Sequence, residues 1–201
     1  MTAYGILRAM QAAAMHRWGS DDLSGRRVAI QGCGSTGYHL AGELHKCGAR
    51  LFVTDIDEGR AGRVVEELGA TAVAPDEIFD VEADILAPCA LGGIINDRTL
   101  PRLKVGVVAG SANNQLAEER HGDALEEMGI TYAPDYVANA GGIINGCREL
   151  LGWGIDATKA KVHAIYDTVL NVLRSADAAG IPAHKMADRL AEARLAAARA
   201  S

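Results

Sequence analysis

The sequence carries no excess of positive charge. Its 20 lysine and arginine residues are outnumbered by 26 aspartates and glutamates, giving a net charge of −6 and an isoelectric point near 5.5. No basic patch for nucleic acid is expected from that balance. Long hydrophobic runs are also missing, and none approaches the roughly 18 residues that a membrane span needs. The start of the sequence lacks the charged, apolar and small-residue zones of a secretory signal, so a cytoplasmic location is expected. The four cysteines, Cys33, Cys47, Cys89 and Cys147, form no C-x-x-C pair and have no histidine at metal spacing. Reduced, mostly buried thiols and no metal site are the expectation. Neither serine nor cysteine stands in a recognisable catalytic constellation with the scattered histidines His45, His121, His163 and His184. What remains is a chain of 201 residues, 49% hydrophobic and 23% charged, long enough for one well-buried globular domain.

Its organising stretch runs from Arg27 to Asp55. Arg27-Val28-Ala29-Ile30-Gln31 reads as a strand and Gly32-Cys33-Gly34-Ser35-Thr36-Gly37 as a G-x-G-x-x-G turn. Tyr38 to Cys47 reads as a helix, and Leu51 to Thr54 as a second strand ending at Asp55. Each glycine has its own reason. Gly32 lets the chain turn off the strand, Gly34 lets a pyrophosphate approach the backbone, and Gly37 lets the helix pack closely. The free N–H groups at the helix start, around Ser35 and Thr36, favour an anion. Asp55 stands eighteen positions beyond Gly37, near the spacing of about 20 at which an acid binds the adenosine ribose. A dinucleotide is the expected ligand. A methyltransferase would usually place an acid just before the first glycine, where this sequence has Gln31.

Along the rest of the chain, Ala3 to Trp18 reads as an alanine-rich helix, with Thr2 as its N-cap, Gly19 as its stop, and Leu7, Met10, Ala14 and Trp18 on one face. After Asp55, a helix is predicted over Glu58 to Leu68 and strands over Thr71 to Val73, Ala83 to Ala87 and Val105 to Ala109. Leu116 to Met128 is predicted helical and Ile130 to Ala133 a sixth strand. The alternation implies an α/β fold with a Rossmann-type, doubly wound, mostly parallel sheet. Helices follow over Ile143 to Leu151, over one long run from Asp156 to Ala179, and over Ala183 to Ala200. Ile165, Val169, Val172, Leu173 and Ala176 form a packing stripe, and the tail from His184 reads as a solvated face. The predicted organisation is a single domain, with a leading helix over 1–19, a core over 25–142, and C-terminal helices over 143–201.

Three loops fall at the carboxyl ends of the predicted strands, where such sheets bind ligands. They are Pro88 to Gly93, Gly110 to Gln115, and Asn139 to Gly142, all rich in small residues. Their wording, with Thr2-Ala3-Tyr4-Gly5, Thr54-Asp55-Ile56, Ala87 to Asn96, Arg120-His121-Gly122-Asp123 and Tyr132 to Asn145, closely resembles the cofactor domain of the amino-acid dehydrogenases. That family includes the leucine, valine, phenylalanine and glutamate enzymes, and the sequence looks most similar to leucine and phenylalanine dehydrogenase. The resemblance runs from Thr2 to about Arg194.

The resemblance implies an NAD-dependent oxidative deamination of an L-amino acid to a 2-oxo acid and ammonia. By position, Asp55 would bind the adenosine ribose, Ile56, Cys89 and Ala90 would line the cofactor, and Asn114 would sit near the nicotinamide and substrate. Thr2 would lie near the nicotinamide carboxamide, while Ile143 and Gly146 would line the substrate side-chain pocket. The family's catalytic lysines and aspartate belong to a first domain that has no counterpart in this sequence, so no catalytic residue is assigned. A cofactor half that works with a separate substrate-binding domain or subunit is the leading expectation. A stand-alone nucleotide-binding sensor or scaffold, or a reductase of a preformed imine, are the alternatives.

Overall fold

A computed structural model describes residues 1–200. Its helices are α1 (Thr2–Trp18), α2 (Ser35–Lys46), α3 (Glu58–Leu68), α4 (Arg120–Glu127), α5 (Asp135–Ala138), α6 (Gly141–Leu150), α7 (Ile155–His163), α8 (Ile165–Ala179) and α9 (Ala183–Ala200). The strands are β1 (Arg27–Gln31), β2 (Arg50–Thr54), β3 (Thr71–Ala72), β4 (Ile85–Pro88), β5 (Val107–Val108) and β6 (Thr131–Tyr132). All pair in parallel, in the order β3-β2-β1-β4-β5-β6. The order reverses between β1 and β4, and that switch point is where a doubly wound sheet opens a crevice for ligands. Gln31 lies in register with both Thr54 and Pro88, so the glycine turn leaves the sheet at that crevice.

Both sheet faces are covered, and successive side chains divide between them. Val28, Ile30, Ile85, Ala87, Val107 and Ala109 join one buried cluster with residues of α1, α2 and α8. Ala29, Leu86 and Val108 join the other with Ile78, Phe79, Ile95, Leu125 and Ile130. The split follows from the period of two along a strand, and burial on both faces explains why the strands read as unbroken apolar runs.

Helix α1 is buried on more than the single face predicted for it. Ile6, Ala9, Met10, Ala12, Ala13 and Ala14 are all inaccessible, because α1 packs against α2 and β5 and is covered by α8. Small alanines allow that close approach from several directions, and each buried Ile or Met contributes about 1.5–3 kcal/mol. The stripe Ile165, Val169, Val172, Leu173 and Ala176 is the buried face of α8, as expected. Gly19 ends α1 in the left-handed conformation. Thr2 is not the cap, however; Met1 takes that position and Thr2 is the first helical residue.

Several element boundaries also differ from expectation, α2 among them, which starts at Ser35 rather than Tyr38. Leu116 to Glu119 is not helical, because Leu116 pairs with Ile95 in a parallel bridge and the Ala117 N–H donates to the Ile95 carbonyl at 2.9 Å. The run predicted over 156–179 breaks at Ala164, which closes α7 and opens α8. The fifth and sixth strands shrink to two residues each, and the fourth starts at Ile85 rather than Ala83.

Candidate functional site

The turn after β1 is closely packed at two of its three glycines. Gly32 has φ of 98°, and a Cβ there would come within 2.9 Å of the Ala90 nitrogen. A Cβ on Gly37 would overlap the Gly32 carbonyl, so neither position accepts a side chain without moving backbone. At Gly34, by contrast, a Cβ would meet nothing within 4 Å: this is the open mouth of the turn. Gly34 caps α2 with no side-chain hydrogen bond, leaving the N–H groups of the first helical turn directed at the mouth.

Asp55 holds the turn from the neighbouring strand. Its Oδ2 accepts from the Cys33 N–H at 2.7 Å and its Oδ1 from the Asp57 N–H at 2.9 Å. Each carboxylate oxygen has lone-pair capacity left for a further donor. Capping of α3 falls to Asp57, whose side chain accepts from Gly59 and Arg60. Asp55 is thus free of the helix-cap role and turned to the glycine loop. Beside it, burial pushes the Cys33 thiol up to about 11, with the Asp55 carboxylate and Cys89 adding to the shift. Cys89 is also raised by burial, so both thiols stay protonated at neutral pH.

These elements enclose a cavity of about 410 Å³ lined by Gly32, Gly34, Asp55, Ile56, Cys89 and Ala90, together with Gln31, Thr54, Arg60, Pro75, Leu91, Gly92 and Ile94. Ile56 and Leu91 are 93% and 76% exposed, large apolar side chains left at its rim. One carboxylate, an apolar rim and a row of N–H groups can receive sugar hydroxyls, a flat base and a pyrophosphate respectively. Among the described residues, no lysine or histidine lines this cavity.

The sequence matches the profile of the Glutamate/Leucine/Phenylalanine/Valine dehydrogenase family over residues 53–201. The chain belongs to that family. A leucine dehydrogenase from Thermoactinomyces intermedius is 57% identical over 195 residues, covering 97% of this chain and 53% of the relative. A phenylalanine dehydrogenase from Lysinibacillus sphaericus is 49% identical over 180 residues, 87% of this chain and 47% of that protein. The crystal structure of L-tryptophan dehydrogenase from Nostoc punctiforme superposes with a TM-score of 0.94 at 44% identity, covering 96% of this chain and 59% of that one. The chain spans about half the length of the curated relatives it matches.

The fold does not gather all the residues singled out from this dehydrogenase resemblance. Gly32, Gly34, Asp55, Ile56, Cys89 and Ala90 line one cavity, with Ser35, Thr36 and Gly37 in the adjoining helical turn. Thr2 sits across from α6, where a Cβ on Gly142 would lie 3.0 Å from its Oγ1. Ile143 is 72% exposed on α6, and Gly146 faces open space on the same helix. Asn114 lies apart from the glycine turn, in a different concavity, with Glu119, Asp135, His184 and Asp188. Its backbone is left-handed, φ 51°, and its carbonyl accepts from the Gly93 N–H at 2.7 Å.

Gln115, passed over in the sequence, and Asp135, the one acid expected to approach the cofactor cleft or else to serve a turn, shape the loops at the carboxyl ends of the strands. Gln115 is fully buried, its Nε2 donating to the Gly110 and Ala112 carbonyls at 3.0 Å each. Its own N–H donates to Asp135 Oδ2 at 2.8 Å, and Asp135 Oδ1 accepts from the Tyr136 N–H at 2.6 Å. Asp135 therefore ties two carboxyl-end loops together rather than facing the cavity. Asp97, Glu118 and His121 form a grouping of metal-type side chains, but Arg120 grips Asp97 through two bonds of 2.7 Å and also reaches Glu118. The His121 Nδ1 accepts from the Glu118 N–H at 3.0 Å, which spends the lone pair a metal would need.

Proposed function

We propose that this chain is the NAD-binding, C-terminal half of an amino-acid dehydrogenase acting on an L-amino acid such as leucine, valine or phenylalanine. The observation that supports it best is the cavity at the switch point, where the Asp55 carboxylate, the bare Gly34 mouth and the uncapped start of α2 converge. In this reading Asp55 accepts hydrogen bonds from the adenosine ribose, and Ile56 and Leu91 cover the base. The N–H groups of Ser35, Thr36 and Gly37 take the pyrophosphate, assisted by the positive end of the α2 dipole. Cys89 and Ala90 line the path from the turn toward the loops at Gly110 and Asn139. There Thr2, Asn114, Ile143 and Gly146 are proposed to border the nicotinamide and the substrate side chain.

Bound NAD would supply the hydride acceptor for oxidation of the substrate Cα–H bond. Proton removal from the amine and activation of water require a positioned base, worth typically 10²–10⁴-fold. Lys104 stands just before β5, at the amino end of the sheet, and Asp135 is occupied by backbone N–H groups. We therefore propose that the base and the carboxylate-binding group come from a separate substrate-binding domain or subunit. Calorimetry with NAD, followed by NADH absorbance with leucine, valine, phenylalanine and glutamate, tests the reading. Binding is expected for the chain alone and turnover only with the complementing domain; no binding would refute it.

A further inference from the structure

Helix α9 has 18 residues, yet its buried residues are only Ala183, His184, Met186 and Ala187. The solvated tail expected from His184 is found beyond Leu190, where every described residue is exposed, but these first turns depart from it. The helix is therefore anchored at one end, and one of its four anchors is titratable.

That anchor is held by shape rather than by hydrogen bonds. His184 is 8% exposed, and both ring nitrogens are buried with no hydrogen-bond partner among the described residues. Buried polar groups in native proteins seldom lack a partner, and one that does calls for an explanation. The ring lies on Gly122 of α4, where an added Cβ would come within 2.4 Å of Nδ1 and 2.5 Å of Cε1; the seat exists because that residue is glycine.

The charged groups around the ring are engaged elsewhere. Nε2 stands 3.7 Å from Asp123 Oδ1 and 4.0 Å from Glu119 Oε1, both beyond hydrogen-bonding range. Lys185 occupies Asp123 instead, with Nζ 2.7 Å from Oδ1 and 2.9 Å from Oδ2, while the Glu119 side chain is 71% exposed and screened by solvent. Asp188 accepts from the Tyr136 hydroxyl of α5 at 2.6 Å, and Asp135 accepts from the Gln115 and Tyr136 N–H groups. The Tyr132 hydroxyl of β6 accepts from the Asp135 N–H, and His121, next to Gly122, is turned to Asp97.

We infer that His184 is a pH-sensitive latch: the neutral ring seats the start of α9 on Gly122 of α4, and protonation releases that end of the helix. A protonated imidazole has two N–H donors, and in this packing neither meets an acceptor. It must leave its seat, or turn to Asp123 and displace Lys185, and either movement undoes a contact that holds α9. Burial, the largest influence, lowers the His184 pKa from its ordinary value near 6.5; Lys185 reinforces the shift, while Asp123, Glu119 and Asp188 oppose it. With the docked value below the released one, docking is complete above the ordinary value near 6.5 and weakens as pH falls through it toward the docked value.

The test is an NMR titration of the His184 ring in the full chain, with amide exchange measured at about pH 7.5 and about pH 5, for the wild type and His184→Phe. Phenylalanine keeps an aromatic ring on Gly122 but cannot titrate. The wild-type ring should titrate below 6.5, and protection of amides 186–190, corrected for the intrinsic pH dependence of exchange, should fall severalfold on acidification while β1 and β4 stay protected. In His184→Phe the protection of α9 should not change. A ring that titrates at or above 6.5, unchanged protection in the wild type, an equal fall in the variant, or a uniform fall across the sheet overturns the latch. If the variant does not fold, the wild type decides alone: loss of protection confined to α9 and following the midpoint of the ring supports the latch, and any other midpoint overturns it.

Discussion

Replacing Asp55 with alanine should separate into two measurable losses, because the carboxylate holds the turn and is proposed to bind the ligand as well. On the protein side, the Cys33 N–H loses its acceptor at 2.7 Å inside a buried residue, and the Asp57 N–H loses one at 2.9 Å. A buried donor left unsatisfied costs about 1–3 kcal/mol. At about 2–4 °C per kcal/mol for a domain of this size, the melting temperature should fall by roughly 2–12 °C. On the ligand side, hydrogen bonds from the ribose to a charged acceptor are worth about 1.5–3 kcal/mol, so NAD affinity should drop roughly 10- to 150-fold. Asp55→Asn should fall between, since one amide oxygen can serve one N–H while its NH₂ faces the other. Differential scanning fluorimetry reads the first loss and calorimetry the second. A variant that melts early but binds NAD as tightly as the wild type would show that Asp55 only shapes the turn, and the ribose assignment would be wrong.

Gly37→Ala should destabilise the fold by about 1–3 kcal/mol and weaken NAD binding, because the new Cβ must displace the Gly32 carbonyl; wild-type melting and binding would contradict this geometry. Gln115→Leu should cost about 1–3 kcal/mol in chemical denaturation, since the Gly110 and Ala112 carbonyls lose their buried donor. Gly146→Val should leave stability within about 1 kcal/mol, as the position is open and valine is the better helix former. With the complementing domain restored, the same change should disfavour phenylalanine against leucine, and an unchanged preference would remove Gly146 from the pocket wall. The Cys33 thiol, held up to about 11, contributes stability that is complete below the ordinary thiol value near 9 and lost as pH rises through 11. Mass-spectrometric alkylation at pH 8 should accordingly modify half-exposed Cys147 well before Cys33.

Local signals that coincide with global packing were readable in the sequence. Helix α3 begins and ends where expected, because Asp57 caps it and Gly69 terminates it in the left-handed conformation. The glycine turn was legible because its spacing is a local pattern, although only Gly37 answers a demand set within the turn; Gly32 answers the Ala90 backbone and Gly34 is left open. Features decided by distant contacts were not. Nothing in the sequence around Ala164 breaks a helix, and the interruption arises where α7 and α8 meet α1 at different points, with Tyr4 bonded to His163 at 2.7 Å. Leu116 carries helical periodicity yet is claimed by Ile95, and Asp135, between Pro134 and Tyr136, resembles a turn residue until its partner Gln115 is seen. The seat of His184 was hidden because the ring belongs to α9 and Gly122 to α4, and only the packing of these helices brings them together.

We propose that the glycine turn and Asp55 form a dinucleotide site while the catalytic base is supplied by a separate domain or subunit. It is tested most directly by one paired measurement on the purified chain: calorimetric titration with NAD, then NADH absorbance at the same protein concentration with leucine, valine, phenylalanine and glutamate. Saturable one-site binding, weakened by Asp55→Ala, with no amino-acid-dependent rise in absorbance until a separately expressed substrate domain is added, is the expected result. Absence of NAD binding, or turnover by the chain alone that Asp135→Asn abolishes, would contradict it.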